Sequence, residues 1–419
     1  MFRKTHLENG ITIVMEQLRA VRSVSLGIWV KVGSRHEEPQ KSGISHFIEH
    51  MFFKGTHKRT AKDIAIDIDS IGGDLNAFTS KENTTFYTKV LDEYIDRAVE
   101  ILSDIFLHSV LPEEEIEKEK GVIKEEIKMV EDTPDEYVHD LFSKTVWGDT
   151  GLGRPILGSR DTIKTFTRDD ILSHIKKYYG TKDTVISCAG NFDYDTMIGL
   201  LNKHLGHLRR GSEPQEKSPS IFKPEIGLYQ KDCSEAHICI GAKGIPQASP
   251  QRYAISILNA ILGAGVSSRL FQEIRERRGL VYSIQSFVVG YLDTGIMGVY
   301  AGTSKKRISE VIELIVKEIE GLSETITSQE LDRAKKQLKG NMILGLESTS
   351  GRMQNIARQE IYYGRYYSPE EIMKEIDSVS LSDVKTLARD ILSEGLALTV
   401  LGPITKEKII SSLPDLFKS

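Results

Sequence analysis

TRDDILSHIKKYYGTKDTVISCAGNF (Thr167–Phe192) reads as a helix followed by a strand, and SLSDVKTLARDILSEGLALTVLGPI (Ser380–Ile404) repeats that reading 213 residues later. Working outward from these two closing segments, the same order of elements recurs ahead of each. In the first half, SVSLGIWVKVGS (Ser23–Ser34) alternates and is rich in Val and Ile, as a strand should be. Helical segments follow around His46 and over 61–71, then a β-like stretch at Asn76–Leu91 and two helices, DEYIDRAVEILSDIFLHS and PEEEIEKEKGVIKEEIKMVE. In the second half the strand is AHICIGAKGI, the helix RYAISILNAILG and the β stretch YSIQSFVVGYLDTGIMGVYAGT, and the paired helices are KKRISEVIELIVKEIEGLSE and SQELDRAKKQLKGNMILGLES. Between the copies lies RRGSEPQEKSPSIFKPE, polar and carrying three prolines, a linker composition. The expected fold is therefore α+β and duplicated: domains at 1–210 and 226–419 joined by a linker at 211–225, each a mostly antiparallel sheet covered by helices.

A chain of 419 residues is long enough for two domains with ample cores, and its 39% apolar and 27% charged residues are ordinary for a globular protein. The formal charge of −5, with no Lys/Arg cluster interleaved with aromatics, excludes a nucleic-acid groove. The N-terminal stretch MFRKTHLENGITIV lacks an apolar export segment, and no run of about 18 apolar residues occurs, so the expectation is a cytoplasmic protein with no membrane insertion. Three cysteines, Cys188, Cys233 and Cys239, match no disulfide or thiolate-zinc framework and read as reduced, buried small apolar residues. No phosphate-binding glycine motif follows a strand.

The chemistry concentrates in GISHFIEHMFFKGT (Gly43–Thr56). As a helix, it puts Ile44, Phe47, Ile48, Met51 and Phe52 on one face and stands His46 and His50 one turn apart on another, beside Glu49. Two imidazoles at i and i+4 can share one cation, and zinc favours nitrogen ligands. The order His-x-x-Glu-His is the inverted form of the better-known zinc-peptidase motif. Along the second paired helix, Ile116, Ile123 and Val130 recur every seven residues as an inward stripe, and Glu119 and Glu126 occupy the intervening inward positions. Buried carboxylates cost several kcal/mol unless a cation or donor meets them. Glu126, level with the apolar centre, is the third ligand by this reading, and Glu119 a supporting carboxylate that orients a histidine. Three protein ligands leave the fourth position of a catalytic zinc for water, and Glu49 is free to take that water's proton.

Taken together, GISHFIEHMFFKGT, NAFTSKENTTFY and EKEKGVIKEEIKMVEDTP resemble the pitrilysin family of zinc peptidases, above all the mitochondrial processing peptidase and its bacterial relatives. The resemblance runs over essentially the whole chain, and the 75 residues between His50 and Glu126 match the family's separation. It implies one Zn2+ per chain on His46, His50 and Glu126, Glu49 as general base and Glu119 in support. It also implies that Asn76, Ala77 and Phe78 form the edge strand on which substrate backbone pairs. In LFQEIRERRGLVYSI it assigns Arg275 and Tyr282 to the substrate and the developing oxyanion, after a modest glycine-rich loop containing Gly263 and Gly265. Read without the family, Arg275 is a solvated helix charge and Tyr282 a core aromatic.

The family's second copy lacks the metal site, and here SILNAILGAGVSS stands where the histidine helix would be, with Ala334 and Asn341 opposite Glu119 and Glu126. The implied function is a zinc endopeptidase that cuts unfolded peptides or presequence-like segments in a chamber between clam-like shells. A homodimer is the favoured assembly, with a hetero-oligomer as the other arrangement. Two further readings stand beside it: a non-catalytic subunit, as some relatives are, and a metallohydrolase acting on a non-peptide substrate.

Overall fold

The computed structural model of the chain describes residues 1–211 and 220–411, together with Leu413 and Phe417. Of the expected linker, residues 212–219 lie outside the described residues. The chain divides into two units, each built on one sheet.

The first sheet takes its strands in the order β1-β2-β6-β3-β5-β4, from β1 (Phe2–His6), β2 (Thr12–Gln17), β3 (Ser23–Val30), β4 (Asp74–Thr79), β5 (Thr84–Leu91) and β6 (Thr184–Gly190). The second runs β7-β11-β8-β10-β9, from β7 (Ile226–Gln230), β8 (Ala236–Lys243), β9 (Val281–Gly290), β10 (Gly295–Thr303) and β11 (Ala397–Gly402). With β1 set aside, the two orders are the same. In both, the closing strand runs parallel to the first and all other pairs are antiparallel. Each β-like stretch of the sequence is a hairpin, β4-β5 in one unit and β9-β10 in the other, and each hairpin sets an edge strand, β4 or β9, at one side of its sheet. The fold is thus α+β and duplicated.

In the first half of the chain the helices begin with α1 (Ile44–Phe52), α2 (Ala61–Ser70), α3 (Ile95–His108) and α4 (Glu113–Glu131). After α4 come α5 (Pro134–Trp147), α6 (Arg160–Ile163), α7 (Arg168–Tyr178) and α8 (Tyr194–Leu205). The second half contributes α9 (Arg252–Leu262), α10 (Ile308–Thr325), α11 (Ser328–Gly345), α12 (Thr349–Tyr363), α13 (Pro369–Ser378), α14 (Leu381–Leu392) and α15 (Lys406–Ser411). Among the described residues no helix is long and apolar enough to cross a membrane.

The contiguous halves drawn from the sequence, 1–210 and 226–419, differ from the compact units in one respect. The first unit comprises Met1–Lys128, Arg154–Ser218 and Leu344–Tyr366, and the second Met129–Gly153, Pro219–Ile343 and Tyr367–Ser419. Helix α12 therefore belongs with the first sheet and α5 with the second. The physical reason is that the central strands are apolar on both faces: every residue of β6 and of β11 is buried. One face is covered by each half's own helices. The other needs a further apolar cover. Met353, Ile356 and Ala357 of α12 supply it over Val14, Trp29, Val185 and Ala189. Val138, Phe142, Val146 and Trp147 of α5 supply it over Cys239, Tyr300, Ala397 and Leu401. The approach is close enough to require glycine: a Cβ on Gly27 of β3 would stand 2.7 Å from Met353 Sδ.

Two further expectations need correction. The inward stripe of α4 holds through Ile116, Glu119 and Ile123 but then passes to Ile127, leaving Val130 half-buried. An α-helix of 3.6 residues per turn drifts away from a strict seven-residue repeat. Among the cysteines, Cys188 and Cys239 are buried free thiols, but Cys233 is half-buried, its Sγ 3.0 Å from the Glu235 carbonyl oxygen.

Candidate active site

Helix α1 buries Ile44, Phe47, Ile48, Met51 and Phe52 in the first unit's core, the face read from their spacing. That anchorage turns His46 and His50 the other way, with ring centroids 4.4 Å apart and planes tilted by 58°. Helix α4 is held by Ile116 and Ile123, and it brings Glu126 to the same point. His46 Nε2 lies 3.7 Å from Glu126 Oε1, and His50 Nε2 lies 3.7 Å from Glu126 Oε2. These separations are too long for hydrogen bonds. They suit donors that share an ion: tetrahedral ligands about 2.0–2.1 Å from zinc stand roughly 3.3 Å apart. One donor atom from each of the three residues lies within 4.8 Å of the other two, and among the described residues this is the one such group of His, Cys, Asp or Glu found.

The electrostatics are those of a cation site. Glu126 Oε2 and His46 Nδ1 are buried without a hydrogen-bond partner. Burial raises the Glu126 carboxyl above its ordinary range, although the charge of His50 opposes it. Burial, with His50 beside it, pushes His46 down to about 3, so its ring is neutral and its lone pairs are available. The residues present fit a zinc ion with two nitrogens and one carboxylate oxygen.

Glu119 is 2% exposed, and it approaches the other nitrogen of His50, with Nδ1 to Oε1 at 2.7 Å. A proton on Nδ1, donated to Glu119, leaves Nε2 bare towards Glu126. Glu119 is itself held by a residue that the sequence reading did not single out: Lys54 Nζ stands 2.6 Å from Oε2. Burial would raise the Glu119 carboxyl, but the hydrogen bonds from His50 and Lys54 outweigh it and hold it below the usual range. Burial likewise opposes the charged form of His50. Its hydrogen bond to Glu119 and the charges of Glu119, Glu126 and Glu49 prevail and raise it. Lys54 sits four residues after His50 on the α1 side of the turn, and that spacing is the one signal in the sequence that could have pointed to it.

Glu49 is not one of the three converging residues. Its Oε2 accepts a hydrogen bond from Thr79 Oγ1 at 2.6 Å, and burial raises its carboxyl while that bond and the charge of His50 pull it down. Thr79 ends β4, the strand that contains Asn76, Ala77 and Phe78. Beyond β4 no further strand pairs with this sheet among the described residues. Phe78 packs edge-on to Trp29 at 5.6 Å, and the Ala77 N–H is engaged by Asn76 Oδ1 at 2.8 Å.

Arg275 and Tyr282 belong to the second unit. Arg275 lies in a short π-helical turn, Phe271–Glu276, its guanidinium 4.7 Å over the Phe271 ring. Tyr282 is 79% exposed near the start of β9, so the core aromatic that its sequence context alone suggests is not what forms. It lines a cavity of about 1000 Å³ in that unit with Asp135, Lys231, His237 and Tyr300. Ahead of it, Gly265 adopts φ +143°, in the region that favours glycine.

The insulinase (peptidase family M16) family model matches residues 12–160, and the model described as the peptidase M16 inactive domain matches residues 165–338. An uncharacterized zinc protease of Bacillus subtilis, YmxG, is 42% identical over 408 residues, covering 96% of this chain and 98% of the relative. An uncharacterized zinc protease of Streptomyces coelicolor is 39% identical over 425 residues, covering 99% and 92%. Among solved structures, a protease from Helicobacter pylori superposes with a TM-score of 0.90 at 24% identity, covering 96% of this chain and 99% of that one. A chain of Complex III2 from Candida albicans gives 0.85 at 24%, covering 98% and 99%. At those identities the likeness is one of fold. With both family models matched in order and relatives aligned over nearly the whole chain, this protein belongs to peptidase family M16, the insulinase or pitrilysin family of zinc peptidases.

Proposed function

We propose that the chain is a zinc-dependent endopeptidase acting on unfolded peptides, with His46, His50 and Glu126 as metal ligands and Glu49 as general base. One observation carries the reading: two imidazole nitrogens and a carboxylate oxygen converge within 4.8 Å, and a further carboxylate, Glu49, stands on the same helix outside that set. A zinc ion held there supplies Lewis acidity, easing deprotonation of water and polarising a scissile carbonyl. Glu49 accepts the proton of the attacking water and passes it to the leaving amine. Burial raises its carboxyl, which strengthens it as a base towards that water.

The substrate class follows from the edge strand. An extended peptide can add to β4, and Thr79 links that strand directly to Glu49, so a chain paired there passes the base. On the family resemblance, the same reading includes Arg275 and Tyr282 meeting the substrate and oxyanion, an enclosed chamber, a homodimer, one Zn2+ per chain and a cytoplasmic setting.

The test is cleavage of an internally quenched peptide. Activity that disappears with a zinc chelator, returns with Zn2+ and is lost in Glu49→Gln supports the reading. Turnover by Glu49→Gln at the wild-type rate overturns the assignment of the base. A second reading, a non-catalytic subunit, draws on the fold shared with the Complex III2 chain. Wild-type protein that binds zinc and cleaves no peptide would favour it.

A further inference from the structure

We propose that Glu37 is a positioning residue for the metal site, capping helix α1 from outside the helix and thereby fixing the directions of His46, Glu49 and His50; the proposal rests on the zinc-peptidase reading. Helix α1 has nine residues and no N-cap side chain: it opens at Gly43, φ +95°, with no side-chain cap. A helix this short owes its position to what holds it rather than to its own hydrogen bonds. Its entrance leaves no room for the usual Ser, Thr or Asp. A Cβ on Gly43 would stand 2.6 Å from the Leu157 carbonyl oxygen, and one on Gly158 would stand 2.2 Å from the Ser42 carbonyl oxygen. The two glycines wedge the chain together, and the orphan amides of the first turn must find an acceptor elsewhere.

Glu37 is that acceptor. Its Oε2 receives the Gly43 N–H at 2.7 Å and its Oε1 the Ser45 N–H at 2.8 Å, and the residue is 2% exposed. Its own backbone is held as well, since Arg154 Nη2 donates to the Glu37 carbonyl oxygen at 2.8 Å. Burial pushes the Glu37 carboxyl up to about 7, and the two amide donors with Arg154 nearby oppose it. Both carboxylate oxygens thus act on the first turn, immediately before His46. Side chains lie about 5–6 Å from a helix axis, so a rotation of roughly 10° moves an imidazole nitrogen by about 1 Å. An error of that size costs about a hundredfold when reacting groups must be aligned.

The experiment compares wild type, Glu37→Gln and Glu37→Asp. It measures zinc affinity by competition with a chromogenic chelator, the visible spectrum of the Co2+-loaded protein, and kcat and KM on a quenched peptide. Glu37→Gln keeps the shape but replaces one acceptor with a donor. The expected result is a folded protein with zinc affinity about tenfold weaker, a shifted Co2+ spectrum and kcat lower by about ten- to a hundredfold, with KM within about twofold of wild type. Glu37→Asp, which cannot reach both amides, should fall between. A folded Gln or Asp variant with wild-type affinity, spectrum and kcat overturns the proposal, and so does failure of both variants to fold, which would make Glu37 a stability residue only. Wild-type protein that neither binds zinc nor cleaves peptide would instead overturn the reading beneath it.

Discussion

Thr79 Oγ1, at the end of the edge strand, donates to Glu49 Oε2 across 2.6 Å, although 30 residues separate the two in the chain. The bond joins the strand proposed to receive substrate to the proposed base and sets which carboxylate oxygen stays open. It also tunes the base, because donation to the carboxylate favours its charged form. Removing the donor in Thr79→Val should therefore move the acid limb of kcat to higher pH and lower kcat by roughly tenfold. Zinc content, read by native mass spectrometry, should not change. An acid limb that stays in place, or moves down, would contradict this role for Thr79.

Glu49→Gln should separate chemistry from metal binding. Peptide turnover should fall by about 10²–10⁴ while zinc stays bound, because Glu49 is not among the three converging donors. His46→Ala or Glu126→Ala should abolish both. Loss of zinc from Glu49→Gln would make it a ligand rather than a base.

The pair formed by Glu119 and Lys54 should govern affinity. Glu119→Gln removes the charge that orients His50, and Lys54→Met removes the cation 2.6 Å from Glu119. Each should weaken zinc by about 10- to 100-fold in chelator competition. Wild-type affinity in both variants would mean that His50 is oriented by other contacts.

The same residues predict a pH window in the metal-free protein. The Glu119 carboxyl lies below its ordinary value of 4.5 in the folded state, so its contribution is present above 4.5 and is lost as pH falls through its folded value. His50 is raised above 6.5, so its contribution is complete below 6.5 and is lost as pH rises through its folded value. The difference in Tm between chelator-treated wild type and Glu119→Gln should thus be largest between 4.5 and 6.5. It should shrink on both sides, less fully on the alkaline side, where the Lys54 pair persists. A difference independent of pH would show that the contact with His50 contributes nothing.

Met353, fully buried on α12, should matter to the unit that contains the histidines despite its place late in the chain. Met353→Ala leaves a cavity over Trp29 and should cost about 2–5 kcal/mol, read as an earlier denaturant midpoint of the transition followed by Trp29 fluorescence. An unchanged midpoint would contradict the packing of α12 on that sheet.

The duplicated order of elements and the three residues that converge, His46, His50 and Glu126, were legible in the sequence because both rest on local patterns. The spacing of Ile44, Phe47, Ile48, Met51 and Phe52 orients α1, and the i, i+4 step pairs its histidines. Carboxylates on the inward stripe of α4 identified Glu119 and Glu126, although that stripe drifts from Val130 to Ile127 once the real helical pitch applies. That α5 and α12 each cover the other half's sheet emerged only with the fold. Amphipathic helices advertise an apolar face but not the sheet it will cover. Only the fold, too, brought Lys54 to Glu119, Thr79 to Glu49 and Glu37 to the start of α1, across 65, 30 and 6 residues respectively. Single polar side chains leave no periodic trace in a sequence, and their partners exist only after the backbone has placed donor and acceptor within hydrogen-bonding distance.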